Sequence, residues 1–259
     1  MSCRRYPAAS CVMFKLSSFR LRVFRECRRR YKYQYVERLP TRPSAHNTMG
    51  AHVHAALKSF FSLESVEDRT PDKLLDLLFE SWQQNRAGFA DLDDEERWRA
   101  RALAQLRTFA EGNDLTVRPL LLEGYYEAPI SPQLALLGRI DRADDEADGL
   151  HIIDYKTGRR PEEVDADQLH LYTIILERNL GRPVARASYL YLDDGSVWTA
   201  RPDRDRLEES LVAAQKAYEE IVAERDYPTN VGRHCSYCDY QSICPRREEI
   251  VGRRLLAEW

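Results

Sequence analysis

The stretch Leu150–His151–Ile152–Ile153–Asp154–Tyr155–Lys156–Thr157–Gly158 decides how the chain is read. It is a short apolar run that ends in an acid–x–base tripeptide, the pattern of a buried strand turning polar at its exit. Asp154 and Lys156 are two apart and share a face on a strand. Upstream, Leu134–Asp141 is a second apolar run that ends Gly138–Arg139–Ile140–Asp141. The charged stretch Asp144–Gly149 between the runs reads as a hairpin turn. Pairing in such a hairpin can bring Asp141 and Asp154 together to share one divalent cation, because hard cations prefer carboxylate oxygens. Lys156 then sits where it can orient or activate water and stabilise developing negative charge. Lysine is scarce in this chain, at six of 39 basic residues, so its use here carries information. Arginine would be bulkier and would not give up its proton. Taken alone, the tripeptide also fits a surface hairpin carrying solvated charges.

Working outward, a helical pattern runs from a cap at Ser17 or Ser18 through Phe19, Val23, Phe24 and Cys27 to Tyr31 and Tyr35, and Pro40 stops it. A second helix opens at Gly50 and continues to Phe61. Thr70–Pro71–Asp72 starts a third, and Asp93–Asp94 starts a fourth that runs to Gly112. Strands follow at Leu120–Ile130 and in the two runs above. A helix then spans Gln168–Leu180. A hairpin is expected across Asp193–Asp194–Gly195, and a long helix from Asp203 to Arg225. This order predicts an α/β fold: a mixed central sheet flanked by helices. The expected organisation is a disordered tail over 1–14 and one domain over 15–259. That domain comprises a helical part at about 15–112, a core at about 118–200 and a closing segment at about 203–259.

The 259 residues carry a net charge of −3, which weighs against a nucleic-acid partner. The average hides an asymmetry. Residues 1–42 hold ten Arg and two Lys against Glu26 and Glu37, a net of +10 that leaves −13 on the remainder. An Arg-dense segment on an acidic body points to an anionic partner. No apolar run approaches the ~20 residues of a membrane span, and the reading is a cytoplasmic protein.

Four elements in order resemble the RecB-type branch of the PD-(D/E)XK nuclease superfamily: Gly50-x-x-x-His54, Gly138–Arg139–Ile140–Asp141, Asp154–Tyr155–Lys156, and Gln168-x-x-x-Tyr172. The resemblance covers roughly Leu16 to Pro245. It implies a restriction-endonuclease-like core and a divalent-metal-dependent DNA exonuclease acting on single-stranded ends. The implied metal ligands are His54, Asp141, Asp154 and the Tyr155 carbonyl, holding Mg2+ or Mn2+. Lys156 is the implied catalytic base-side partner, and Gln168 and Tyr172 position DNA. Glu123 is a further acidic candidate that also fits an edge-strand surface charge. His52 reads as a packed histidine.

The six cysteines at first allow a disulfide framework, but the chain is not small and shows no secretory leader. Cys235-x-x-Cys238-x5-Cys244 followed by Pro245, with Cys27 in an Arg- and Tyr-rich helix, resembles the iron–sulfur staple of the AddB nuclease domain and of CRISPR-adaptation nucleases. It implies a 4Fe–4S cluster on Cys27, Cys235, Cys238 and Cys244. A structural Zn2+ is the alternative, with His234 available to a mixed site. Arg28, Arg29 and Arg30 are expected to hold the phosphate backbone and Tyr31 to stack bases. The same residues also fit arginine stems covering a core with tyrosines packed beneath. No Walker-type G-x4-GK[ST] occurs, so any helicase partner is another chain. The resemblance allows both repair and CRISPR adaptation. Other readings are a non-catalytic DNA-binding module, or a subunit active only in a larger complex.

Overall fold

The structure is a computed structural model that describes residues 13–256. Six strands form one mixed sheet. They are β1 (Phe14–Leu16), β2 (Leu121–Ser131), β3 (Leu134–Glu146), β4 (Gly149–Lys156), β5 (Val184–Tyr191) and β6 (Val197–Ala200). Eight α-helices lie among the described residues: α1 (Ser18–Glu26), α2 (Arg28–Tyr31), α3 (Ala45–Phe61), α4 (Pro71–Trp82), α5 (Leu92–Gly112), α6 (Asp167–Leu180), α7 (Arg204–Ala223) and α8 (Arg247–Leu255). The mixed α/β architecture is the one the sequence predicts.

Strand β3 organises the sheet. β2 pairs with it antiparallel from Leu134 to Ala143. The other edge of β3 is divided: β1 takes Leu134–Leu136 in parallel, and β4 takes Arg142–Glu146 antiparallel. Between these two segments the ladder opens, and Asp141 lies in the opening. β4 continues in parallel to β5 through the crossover helix α6, and β5 pairs antiparallel with β6. Apolar side chains leave both sheet faces. On one face Leu136, Ile140 and Ile152 meet α1, α6 and α7. On the other, Ile153, Tyr155 and Leu190 meet α3, α4 and α5. The site-bearing end of β4 is thus clamped between two cores.

Side-chain caps set several helix starts. Thr70 accepts from the Lys73 amide and Asp91 from the Asp94 amide, each worth about 1 kcal/mol. Four boundaries differ from expectation. The N-terminal helix is broken at Cys27, which is extended (φ −159°, ψ 110°) and joins α1 to α2. Asn230 Nδ2 donates to the Glu26 carbonyl at 2.9 Å, and the Arg29 amide donates to the Pro228 carbonyl at 3.1 Å. The C-terminal segment therefore takes up backbone groups that a continuous helix would pair internally. Helix α3 starts at Ser44, whose hydroxyl accepts from Asn47, so Gly50 is mid-helix rather than its start. The β3–β4 turn is shorter than expected because Arg142 grips Asp144 bidentately (2.8 and 2.7 Å) and keeps the charged residues in the ladder. Gly149 closes the turn at φ 137°, where a Cβ would lie 2.7 Å from the Pro183 carbonyl. Finally, Phe14 belongs to β1 rather than to a tail, and residues 1–12 lie outside the described residues.

Candidate functional site

The row Glu123, Asp141, Asp154 crosses β2, β3 and β4 at one level. Their flanking pairs, Leu122↔Arg142 and Arg142↔Ile153, set the register. Where the β3–β4 ladder ends, the Tyr155 amide donates to Asp141 Oδ2 at 2.9 Å, so a side chain replaces the missing backbone partner. Helix α3 brings His54 Nδ1 to 3.2 Å from Asp141 Oδ1 and 3.9 Å from Glu123 Oε1. The helix approaches closely because Gly50 faces Thr157; a Cβ there would sit 3.2 Å from its hydroxyl.

Ligand atoms of His54, Glu123 and Asp141 all fall within 4.8 Å of one another, a spacing that one cation can span. Glu123 is 5 % exposed, and its Oε1 is buried without a hydrogen-bond partner. A carboxylate oxygen so placed is costly unless something positive completes it. Its Oε2 accepts from Arg139 at 2.6 Å. One imidazole nitrogen with buried carboxylates is a donor set that fits Mg2+ or Mn2+.

Asp154 is buried, and burial outweighs Lys156 to push its carboxyl up to about 6, with Asp141 adding to the rise. Lys156 Nζ lies 2.5 Å from Asp154 Oδ2, which has no other hydrogen-bond partner. Burial pulls the His54 imidazole down, but its hydrogen bond to Asp141 and the Asp141, Asp154 and Glu123 charges leave it raised. The ammonium of Lys156 also donates to Gln168 Oε1 at 2.8 Å, and Gln168 Nε2 donates to Tyr172 OH at 2.7 Å. Gln168 and Tyr172 are one turn apart on α6. Tyr172 stays protonated, its pKa raised chiefly by burial. Gly138 lets α6 come this close, since a Cβ there would lie 3.0 Å from the Tyr172 ring.

The fold therefore gathers His54, Asp141, Asp154, Lys156, Gln168 and Tyr172, and adds Glu123. Arg139 is the contact that sequence reasoning passed over, although it lies inside the Gly138–Asp141 stretch. His52 is elsewhere: it is buried against Trp82 and bonded to Ser81 Oγ and the Asn85 carbonyl.

Cys27, Cys235, Cys238 and Cys244 line one cavity between the Cys27 break and the C-terminal segment, with His234 beside them. All four are free thiols. Burial raises the Cys235 and Cys238 thiols, and neighbouring thiols add to it.

The expected phosphate-binding surface on α2 is corrected by its contacts. Arg28 is paired with Glu220 (2.9 Å) and Glu224 (2.7 Å), and Arg30 is buried against Glu26 (3.0 Å). Arg29 reaches back to the Asp226 carbonyl at 3.4 Å. Tyr31 is 1 % exposed and packs edge-on to Phe24, so it offers no face to a base. Arg28 and Arg30 spend their charge on the protein's own acids, Arg29 meets a backbone carbonyl, and the tyrosine is core.

A mixed sheet with an imidazole–carboxylate cluster and a lysine at one strand end offers the groups that metal-assisted hydrolysis uses. The chain belongs to the PD-(D/E)XK nuclease superfamily, whose family model matches residues 15–245. Comparison with curated proteins gives no match. Among solved structures, the chain resembles SSO0001 at 14 % identity and TM-score 0.44, over 90 % of this chain and 86 % of that one. It also resembles a candidate exonuclease from Eubacterium rectale at 11 % identity and TM-score 0.49, over 80 % of each chain. No helix among the described residues is long and apolar enough to cross a membrane.

Proposed function

We propose that this protein is a RecB-type, divalent-metal-dependent deoxyribonuclease that hydrolyses single-stranded DNA from its ends. The convergence of His54, Glu123 and Asp141 within 4.8 Å beside the Asp154–Lys156 ion pair carries the reading. His54, Asp141, Asp154 and the Tyr155 carbonyl are the proposed ligands, joined by Glu123. A bound Mg2+ or Mn2+ would polarise the phosphodiester and lower the pKa of water. Lys156 orients the attacking water and offsets charge that builds on the phosphate. Asp154 holds that ammonium in place from one side and Gln168 from the other. Tyr172 fixes Gln168, so α6 acts as a positioning wall for the strand.

The four cysteines are proposed to hold a 4Fe–4S cluster that clips the Cys27 break to the C-terminus. Four thiols lining one cavity supply the four-cysteine ligand set of such a cluster, and a structural Zn2+ is the alternative. The clip would close a loop of about two hundred residues, and its bonds offset the chain entropy. Its role is structural, in repair or in CRISPR adaptation, with a helicase or adaptation protein as a fitting partner.

End-labelled linear and circular single strands test the activity. Linear strands are expected to shorten with Mg2+ or Mn2+ and to survive chelation, while circles persist; cutting of circles would make the enzyme an endonuclease. The cluster predicts brown, iron-containing protein, with Cys238→Ser losing iron and thermal stability. Colourless, iron-free protein that tolerates this substitution would remove the cluster.

A further inference from the structure

We propose that a single DNA strand lies across the Glu123–Asp141–Asp154 row on a track with an exposed aromatic platform at each end, Phe19 and Tyr125. The inference rests on the nuclease reading and gives that site its strand contacts.

The first platform borders a cleft beside Lys156, about 600 Å³ in volume, walled by α1, the 157–168 segment and β5. Phe19 stands at its rim, 41 % exposed, with the Arg22 guanidinium 5.2 Å above the ring. Arg159 lines the opposite side. Of the three acids that line the cleft, Asp167 is paired with Arg25 at 2.8 Å and Glu26 with Arg30 at 3.0 Å, while Asp165 accepts from the Asp167 amide at 2.8 Å. The cleft thus offers cations and a ring to an incoming strand.

The second platform lies beyond the other end of the row. Tyr125 is 71 % exposed and pairs across the β2–β3 ladder with Arg139, whose guanidinium is 5.7 Å from the ring. Arg139 in turn touches Glu123. Tyr125 and Arg139 stand two residues from Glu123 and Asp141, and Lys156 two residues from Asp154 in the same direction along the sheet, so the Tyr125–Arg139 pair lies at the β2–β3 end of the row and the Lys156 cleft at its β4–β5 end. A ring left in water offers a face on which a base stacks, and the guanidinium beside it adds to that attraction. A duplex hides its base faces, so the occupant is a single strand.

Fluorescence anisotropy of a labelled short oligothymidine, with Ca2+ to hold the site without turnover, reads the track directly. Phe19→Ala and Tyr125→Ala are each expected to weaken binding about tenfold. Both rings are on the surface, and circular dichroism checks that the variants fold. Phe79→Ala removes a comparably exposed ring from α4 (42 %) and is expected to leave binding unchanged. A duplex of the same length should be insensitive to Phe19→Ala and Tyr125→Ala. If either variant binds the oligothymidine as the wild type does, the two-ended track is wrong. Cleavage is scored separately in Mn2+. Strand binding that needs both rings without any cleavage would remove the nuclease reading and keep the track, whereas normal cleavage with unchanged binding would remove the track alone.

Discussion

Asp154 is the residue on which the proposed chemistry turns. Burial raises its carboxyl to about 6, above the ordinary value of 3.8. A raised carboxylate costs the metal-free protein stability as pH rises through that range, because the folded state then holds a desolvated charge. The proton must also leave before a cation binds. The proposed ligand His54, whose imidazole is also raised, must lose its proton too, so Mn2+ affinity, followed by calorimetry, is expected to fall as pH drops from 7 to 5, by more than the about tenfold per unit that one proton gives. An affinity unchanged from pH 7 to pH 5 would contradict the assignment. Glu123 gives a second expectation. Its Oε1 is buried and unpartnered, so Glu123→Gln should weaken Mn2+ binding and free Arg139. Wild-type affinity in that variant would show Glu123 to be a surface partner of Arg139 and nothing more. The sequence offered Glu123 only as an option, because what singles it out is that it faces Asp141 across β2 and β3.

At the scale of elements, the site depends on how near α6 comes to the sheet, and the N-terminal helices on how the C-terminal segment is tied to them. Gly138→Val would drive side-chain atoms into Tyr172 and Ile175, whose rings and methyls lie 3.0 and 2.9 Å from the position of a Cβ. We expect a loss of about 1–3 kcal/mol in urea unfolding, with reduced cleavage from a displaced Gln168–Tyr172 pair. Glu224 ties the C-terminal segment: it accepts from the Arg225, Asp226 and Tyr227 amides and from Arg28. Burial alone would raise this carboxyl, but those bonds bring it down to about 2. A depressed carboxylate stabilises the fold above its ordinary pKa of 4.5, and that contribution fades as pH falls toward 2. Glu224→Gln should therefore lower Tm at pH 7 and flatten the decline in Tm below pH 4.5. The strands were legible because their apolar runs sit between turn residues, and α4 and α7 because Thr70 and Asp203 are caps. β1 was not, since three residues carry no period. Nor was the break at Cys27, because the groups that permit it, Asn230 and Pro228, lie some two hundred residues away in sequence.

For the whole molecule, the charge asymmetry of the chain has a different meaning once folded. Part of the +10 of residues 1–42 is spent against the acidic body: Lys15 on Glu127, Arg25 on Asp167, and Arg28 on Glu220 and Glu224. Composition alone suggested a basic arm for DNA, and only the fold shows how much of it is internal pairing. The site was more legible than the surface, because His54, Asp141, Asp154 and Lys156 sit in short motifs whose spacing survives folding. Glycine placement explains why those motifs meet: Gly50 and Gly138 admit α3 and α6 to the sheet. The measurement that tests the central claim most directly is cleavage of end-labelled single-stranded DNA in Mn2+ by Lys156→Ala, with Mn2+ binding measured on the same protein. The account predicts near wild-type metal binding with cleavage reduced at least about a hundredfold. Wild-type cleavage by this variant would contradict it.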